Sequence, residues 1–142
     1  MQAEIAIFYI LSTDTNVLNL VGGSTNFRIY QGRRRQGSAL PAISIEADGI
    51  EPSDQKPDAV GSGQGVSKLD RENTLVFCYA GDFDSANTLS QAVRAALDKK
   101  IAGSYNTVNV QSIQFLSEDY FDEQLDPPEY VYEHRYRTRV IR

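Results

Sequence analysis

The segment Tyr130–Ile141 alternates without a break. Tyr130, Tyr132, His134, Tyr136, Thr138 and Val140 fall on one parity, and Val131, Glu133, Arg135, Arg137, Arg139 and Ile141 on the other. Side chains of an extended chain point to opposite faces with a period of two, so this segment reads as a strand with a tyrosine face and an arginine face. Such a strand needs neighbours, and the rest of the chain supplies them. In Arg71–Tyr79, Leu75, Phe77 and Tyr79 oppose Thr74, Val76 and Cys78. Both faces are fairly apolar, which suits a central strand. Pro41 is tolerated at a strand's first residue and opens another, with Ile43, Ile45 and Ala47 on one face and Ser44 and Glu46 on the other. Phe27–Tyr30 is short, aromatic and β-branched, a further strand. In Thr107–Leu116, Val108 and Val110 are in phase but Ile113 and Phe115 have the opposite parity. A one-residue bulge near Gln111–Ser112 is expected to turn all four inward.

Two helical regions complete the pattern. In Ala3–Val21, Ile5, Phe8 and Tyr9 recur at helical spacing, with Ile7 and Leu11 on a neighbouring stripe. Ser12-Thr13-Asp14 offers caps for a second short turn, and Gly22-Gly23 closes it. The main helix is expected over Phe83–Lys100, capped by Asp82 or Asp84, with Ala86, Leu89, Val93, Ala96 and Leu97 as its apolar stripe and Gly103 as its terminator. Residues 49–70 are rich in glycine and poor in apolar side chains and read as a flexible hairpin arm containing Gly61, Gly63 and Gly65. Glu118–Glu129 holds six acids, no base and Pro127-Pro128, and reads as a solvated acidic loop. The expected fold is α+β: residues 1–142 as a single domain, with a mostly antiparallel sheet of about four to five strands and helices packed on one face.

Composition removes most chemistry. The chain has 142 residues, a size at which one domain buries enough surface to fold without staples. Its single cysteine, Cys78, excludes an internal disulfide and any cysteine-built zinc site, and its single histidine, His134, has no second imidazole to work with. His134 is read as a packed histidine and Cys78 as a small buried hydrophobe. Gly61-Ser62-Gly63-Gln64-Gly65 resembles a phosphate loop only in composition and lacks the following lysine. Asp119, Asp122, Glu123 and Asp126 do not follow the spacing of a calcium loop. There is no Gly-x-Ser-x-Gly elbow. No catalytic residue, metal ligand or cofactor site is nominated. No apolar run is long enough for a membrane-spanning helix, and Met1-Gln2-Ala3-Glu4 lacks a basic leader region, so a cytosolic domain with no membrane partner is expected.

Charge is what remains. Arg33-Arg34-Arg35 lies in a loop, and Arg135, Arg137 and Arg139 line the last strand. Tyrosines beside arginines fit a nucleic-acid surface, but a net charge of −5 favours protein contact or edge protection instead. The acids Asp119, Asp122 and Glu123 complement the arginine stripe. If the two cannot meet within one subunit, they are expected to join neighbouring copies.

Several strings, taken in order, resemble the phage tail-terminator (tail-completion) family. They are Leu20-Val21-Gly22-Gly23, then Phe27-Arg28-Ile29-Tyr30-Gln31-Gly32, then Gln36-Gly37-Ser38-Ala39-Leu40-Pro41-Ala42-Ile43-Ser44-Ile45, then the Ala-rich Ala92-Val93-Arg94-Ala95-Ala96-Leu97, and last Tyr136-Arg137-Thr138-Arg139-Val140. The triple arginine and the long Gly/Ser arm depart from the family pattern. The resemblance implies a structural virion protein without cofactor or catalysis. It would be a homohexameric ring on the tail tube that stops growth of the major tail tube protein and meets the head–tail connector or a head-completion protein. DNA would pass through its lumen without specific binding. Another neck component is the neighbouring reading, and a small nucleic-acid-binding domain a third.

Overall fold

The structure is a computed structural model that describes residues 2–34, 39–51, 69–98, 100, 102–123 and 127–141. In chain order the elements are α1 (Gln2–Thr13), α2 (Thr15–Leu20), β1 (Ile29–Gln31), β2 (Ala42–Glu51), β3 (Leu69–Ala80), α3 (Phe83–Leu97), β4 (Gly103–Tyr105), β5 (Val108–Glu123) and β6 (Glu129–Ile141). The class is α+β, as expected. The sheet has six strands in the order β1-β2-β3-β6-β5-β4. It is mixed, because β1 runs parallel to β2 while the other neighbours are antiparallel. The extra strand is β4, whose Gly-Ser-Tyr carries no apolar alternation to signal it.

Parity in β3 and β6 divides the sheet into two faces. Even-numbered residues from Glu72 to Ala80 and from Tyr132 to Val140, including Val76, Cys78, Tyr136 and Val140, are buried under the helices. Ile43 and Ile45 of β2 lie opposite Cys78 and Val76 and join that face. In β5 the register shifts between Val110 and Ser112, the bulge the parity conflict requires. Val108, Val110 and Ile113 are buried there, and Phe115 packs against the same core.

The helices cover the inner face with stripes at i, i+3, i+4, i+7 spacing. In α1 the buried set is Ala3, Ala6, Ile7, Ile10 and Leu11, while Ile5 and Tyr9 are exposed. This corrects the stripe chosen by bulk: two alanines let the helix lie close to the sheet and rotate Ile7 and Leu11 inward. Its first turn is anchored by Glu72 of β3, which accepts a hydrogen bond from the Ala3 amide at 3.0 Å. A carboxylate there also complements the positive end of the helix dipole. In α3, Asp82 caps the N-terminus by accepting from the Ser85 amide at 2.8 Å, and the expected apolar stripe is buried. The helix stops at Leu97, not Lys100, because Asp98 is already extended. Lys100 bridges to Ile113, and Gly103 opens β4 instead of ending a helix.

Two further boundaries differ. β2 continues to Glu51 and β3 begins at Leu69, so Gly49–Glu51 and Leu69–Asp70 are strand where the arm was expected. The rest of that arm lies outside the described residues. The expected acidic loop is also strand in its first half: β5 runs through Glu123 and pairs with Glu129–His134. Tyr120, between the acids, packs its ring against Phe83 and Tyr132, apolar contacts that solvated-loop reasoning discounted.

Leu89 is fully buried where α3 meets the sheet, whereas Gln91 is exposed on the same helix. Leu89→Ala is expected to cost about 2–5 kcal/mol in denaturant unfolding. Gln91→Ala is expected to stay within about 0.5 kcal/mol.

Candidate functional site

Odd-numbered residues of β3 and β6 form the outer sheet face, away from the helices. It carries the arginine stripe, and β2 answers that stripe within the chain. Arg135 Nε lies 3.5 Å from Asp48 Oδ2, and Arg137 Nη2 3.9 Å from Glu51 Oε2. Glu51 is also 3.6 Å from Arg71 and accepts a hydrogen bond from Asn73 Nδ2 at 3.0 Å. Arg139 sits opposite Arg71 in the ladder. Pairs this exposed contribute little to stability. They do neutralise part of a surface that would otherwise attract polyanions. The acids of β5 lie elsewhere: Asp119, Asp122 and Glu123 pair with Glu133, Tyr130 and Glu129, whereas Arg135, Arg137 and Arg139 pair with Ser117, Gln114 and Ser112. One chain therefore keeps its acidic strand end and its arginine stripe on different rows.

The triple arginine divides as well. Arg33 is exposed, and Arg35 lies outside the described residues with Gly61, Gly63 and Gly65. Arg34 is buried, its Nη2 donating to both carboxylate oxygens of Glu129 at 2.6 Å and its guanidinium 4.4 Å from the centre of the Tyr79 ring. Glu129 is 7% exposed, although the sequence grouped it with solvated acids. The pair fastens the segment after β1 across the outer face to the start of β6.

On the inner face His134 joins a polar network. The Glu118 carboxylate accepts from Ser90 Oγ at 2.7 Å and lies 2.9 Å from His134 Nε2. Ser90 Oγ is also 2.7 Å from His134 Nε2, and Tyr136 OH is 2.9 Å from His134 Nδ1. A neutral ring with its proton on Nε2 satisfies every member: Nε2 donates toward Glu118, and Nδ1 accepts from the tyrosine. Serine, histidine and glutamate are present, but a catalytic triad needs the carboxylate on one ring nitrogen and the serine on the other. Here both sit on Nε2, Tyr136 occupies Nδ1, and Ser90 is 2% exposed. The network is a packing device, which agrees with reading His134 as a packed histidine. Cys78 is likewise fully buried, and burial pushes its thiol far above the ordinary range. Sequence reasoning missed Ser90 and Glu118, although a serine between Leu89 and Val93 on the helix's buried face signals a polar partner.

Among the described residues no group of His, Cys, Asp and Glu is placed to hold a metal. A small cavity is lined by Leu20, Pro41, Asp84, Ser85 and Thr88, with Asp84 the ionisable group among them. No described helix is long and apolar enough to cross a membrane.

The model of the family described as Tail completion protein gp17 matches residues 5–140. Among solved structures, a chain from "Virion of native gene transfer agent (GTA) particle" superposes with a TM-score of 0.67 at 16% identity, covering 98% of this chain and 94% of that one. At that identity the likeness is one of fold. No curated protein matches the sequence.

Glu129→Gln takes away the charge that compensates buried Arg34 and is expected to destabilise the fold by about 3–5 kcal/mol in urea unfolding. The double variant Arg34→Met/Glu129→Leu, which removes both charges, is expected to lose less. Acid should act through His134. Burial lowers its pKa from 6.5, against the opposing pull of the Glu118 hydrogen bond and charge. Burial alone raises Glu118, but hydrogen bonds from Ser90 and His134, with the nearby charges of His134 and Arg94, leave it below 4.5. The unfolded chain therefore binds protons first at both sites. Stability is complete above about pH 6.5 and falls as pH drops through the folded value of His134, with a second loss from Glu118 in more acid solution. Thermal melts at about pH 7.5 and pH 5 are expected to show the drop, and His134→Gln is expected to flatten it across that window.

Proposed function

The chain belongs to the tail completion protein gp17 family, structural proteins of the virion tail, and from this we propose that it closes as a homohexameric ring on the end of the tail tube. There it stops polymerisation of the major tail tube protein and offers its far surface to the head–tail connector or a head-completion protein. The match over residues 5–140 carries the reading. The absence of a catalytic arrangement around Ser90, His134 and Glu118 fits it: the protein works by interface geometry, in the virion, and without a cofactor.

Closed rings use heterologous contacts, in which one patch meets a different patch on the next copy. The acidic end of β5 and the arginine-bearing surfaces elsewhere on the chain supply such unlike patches. The side chain of Arg135 is 49% exposed beyond its contact with Asp48, within reach of a carboxylate from a neighbour or from the tube. Six copies at −5 each give the ring a formal charge of −30, so DNA would pass the lumen without adhering. Carboxylates against Arg135 and Arg137 speak against the nucleic-acid-binding alternative for the same reason.

Disrupting the gene in its parent virus and imaging the lysate by negative stain tests the reading. Tails of uncontrolled length are the expected result, because only loss of the stop lets the tube keep growing. Tails of normal length beside filled, unattached heads would overturn the terminator assignment and place the protein elsewhere in the neck.

A further inference from the structure

The two ends of the sheet have opposite charge and lie on the same row. β4 covers β5 only at Val108–Val110, with one more bridge at Ile113, so among the described residues no strand lies outside Gln114–Glu123. Ser117, Glu118, Asp119 and Tyr120 are exposed along it. From residue 114 to 129 the chain has six acids and no base. The opposite end is β1, which among the described residues pairs on one side only. From residue 15 to 45 the chain has no acid; Arg28 is half-buried before β1 and Arg33 exposed after it, while Arg34 is turned toward Glu129.

The ladders fix the level of these two edges. Tyr30 of β1 pairs with Ser44, Ser44 with Phe77, Phe77 with Glu133, and Glu133 with Asp119. By the same route Gln31 leads to Glu118 and Ile29 to Tyr120. The free part of β5 and the free side of β1 thus end the same row. Following the strand senses across the sheet, β5 runs opposite to β1.

We propose that the β1 edge of one copy adds as an antiparallel strand to the Ser117–Asp122 edge of β5 in the next copy, continuing the sheet from subunit to subunit. Exposed strand edges are templates for such addition. Charge selects the pairing: two β5 edges repel through exposed Asp119 and Asp122, two β1 ends repel through exposed Arg33, and the unlike combination attracts. Row geometry selects closure. Edges at one level join copies without a rise, which gives a ring instead of a helical filament. This contact deepens the ring reading and rests on it.

The test uses virions whose chain carries both Tyr30→Cys and Asp119→Cys, oxidised mildly and run on a non-reducing gel. The double variant is expected to give a ladder of covalent multimers, while each single variant stays monomeric. Cys78 is buried and adds no background. Dimers from Asp119→Cys alone would show β5 pairing with itself, and monomers from intact double-variant particles would show no contact; either overturns the proposal. If the cysteines prevent assembly, charge exchange replaces them. Arg33→Asp and Asp119→Arg are each expected to cut particle yield about ten-fold, and together to restore most of it. Failure of the pair to restore yield also overturns the contact. The gene-disruption phenotype separates the two ideas. Overlong tails with no cross-linking remove the edge contact and leave the terminator, whereas cross-linked multimers with tails of normal length do the reverse.

Discussion

The ladder between β3 and β6 is the constraint on which the rest of the fold depends. It runs from Leu69 opposite Ile141 to Ala80 opposite Tyr130 without a register shift. A slip of one residue would exchange the faces, exposing Tyr136 and Val140 and driving arginines under the helices, so the apolar face holds the register. Irregularity is confined to the flanking strands, in β2 between Ala47 and Ile50 and in β5 at two places. The centre fixes which face is core, and the flanks bend to follow it.

Three carboxylates show how the fold gives its inward acids partners from distant segments. Glu72 accepts from the first turn of α1, Glu129 takes the fork of Arg34, and partly exposed Glu118 gathers Ser90 and His134. Each carboxylate ties together segments far apart in sequence, with separations of 69, 95 and 28 residues for the Ala3, Arg34 and Ser90 bonds. A buried charge whose partner comes from another element penalises alternatives in which that element docks elsewhere.

What was legible in the sequence follows from the range of the signal. The two-residue alternation of β6, the parity conflict that demanded a bulge at Gln111–Ser112, and the stripe and cap of α3 are local, and all three are present in the structure. The rotation of α1 was misjudged because bulk marked Ile5 and Tyr9, while close packing against the sheet selects Ala3 and Ala6. β4 and the outer half of β5 were lost because a strand without apolar alternation, or one crowded with acids, exists only through its partner. Arg34 and Glu129 looked like members of two solvated runs. Nothing within either run separates the residue that is buried from the neighbours that are not, since only the tertiary contact makes the distinction.

The same separation explains where assembly information lies in such a protein. The inner face is filled by α1 and α3, and its Ser90–His134–Glu118 network is closed within the chain. The outer face and the two sheet ends remain. On the outer face the arginines are partly neutralised by Asp48 and Glu51, which lowers its appetite for DNA while keeping it polar. The ends keep exposed charge of opposite sign, Arg33 after β1 and Asp119 and Asp122 on β5. Charges along an exposed strand normally protect it from pairing at all. When opposite signs are placed on the two ends of one row, the same protection becomes directional: each end refuses its own kind and admits the other. A chain of a virion tail family can in this way encode order, polarity and closure in the charge of its edges.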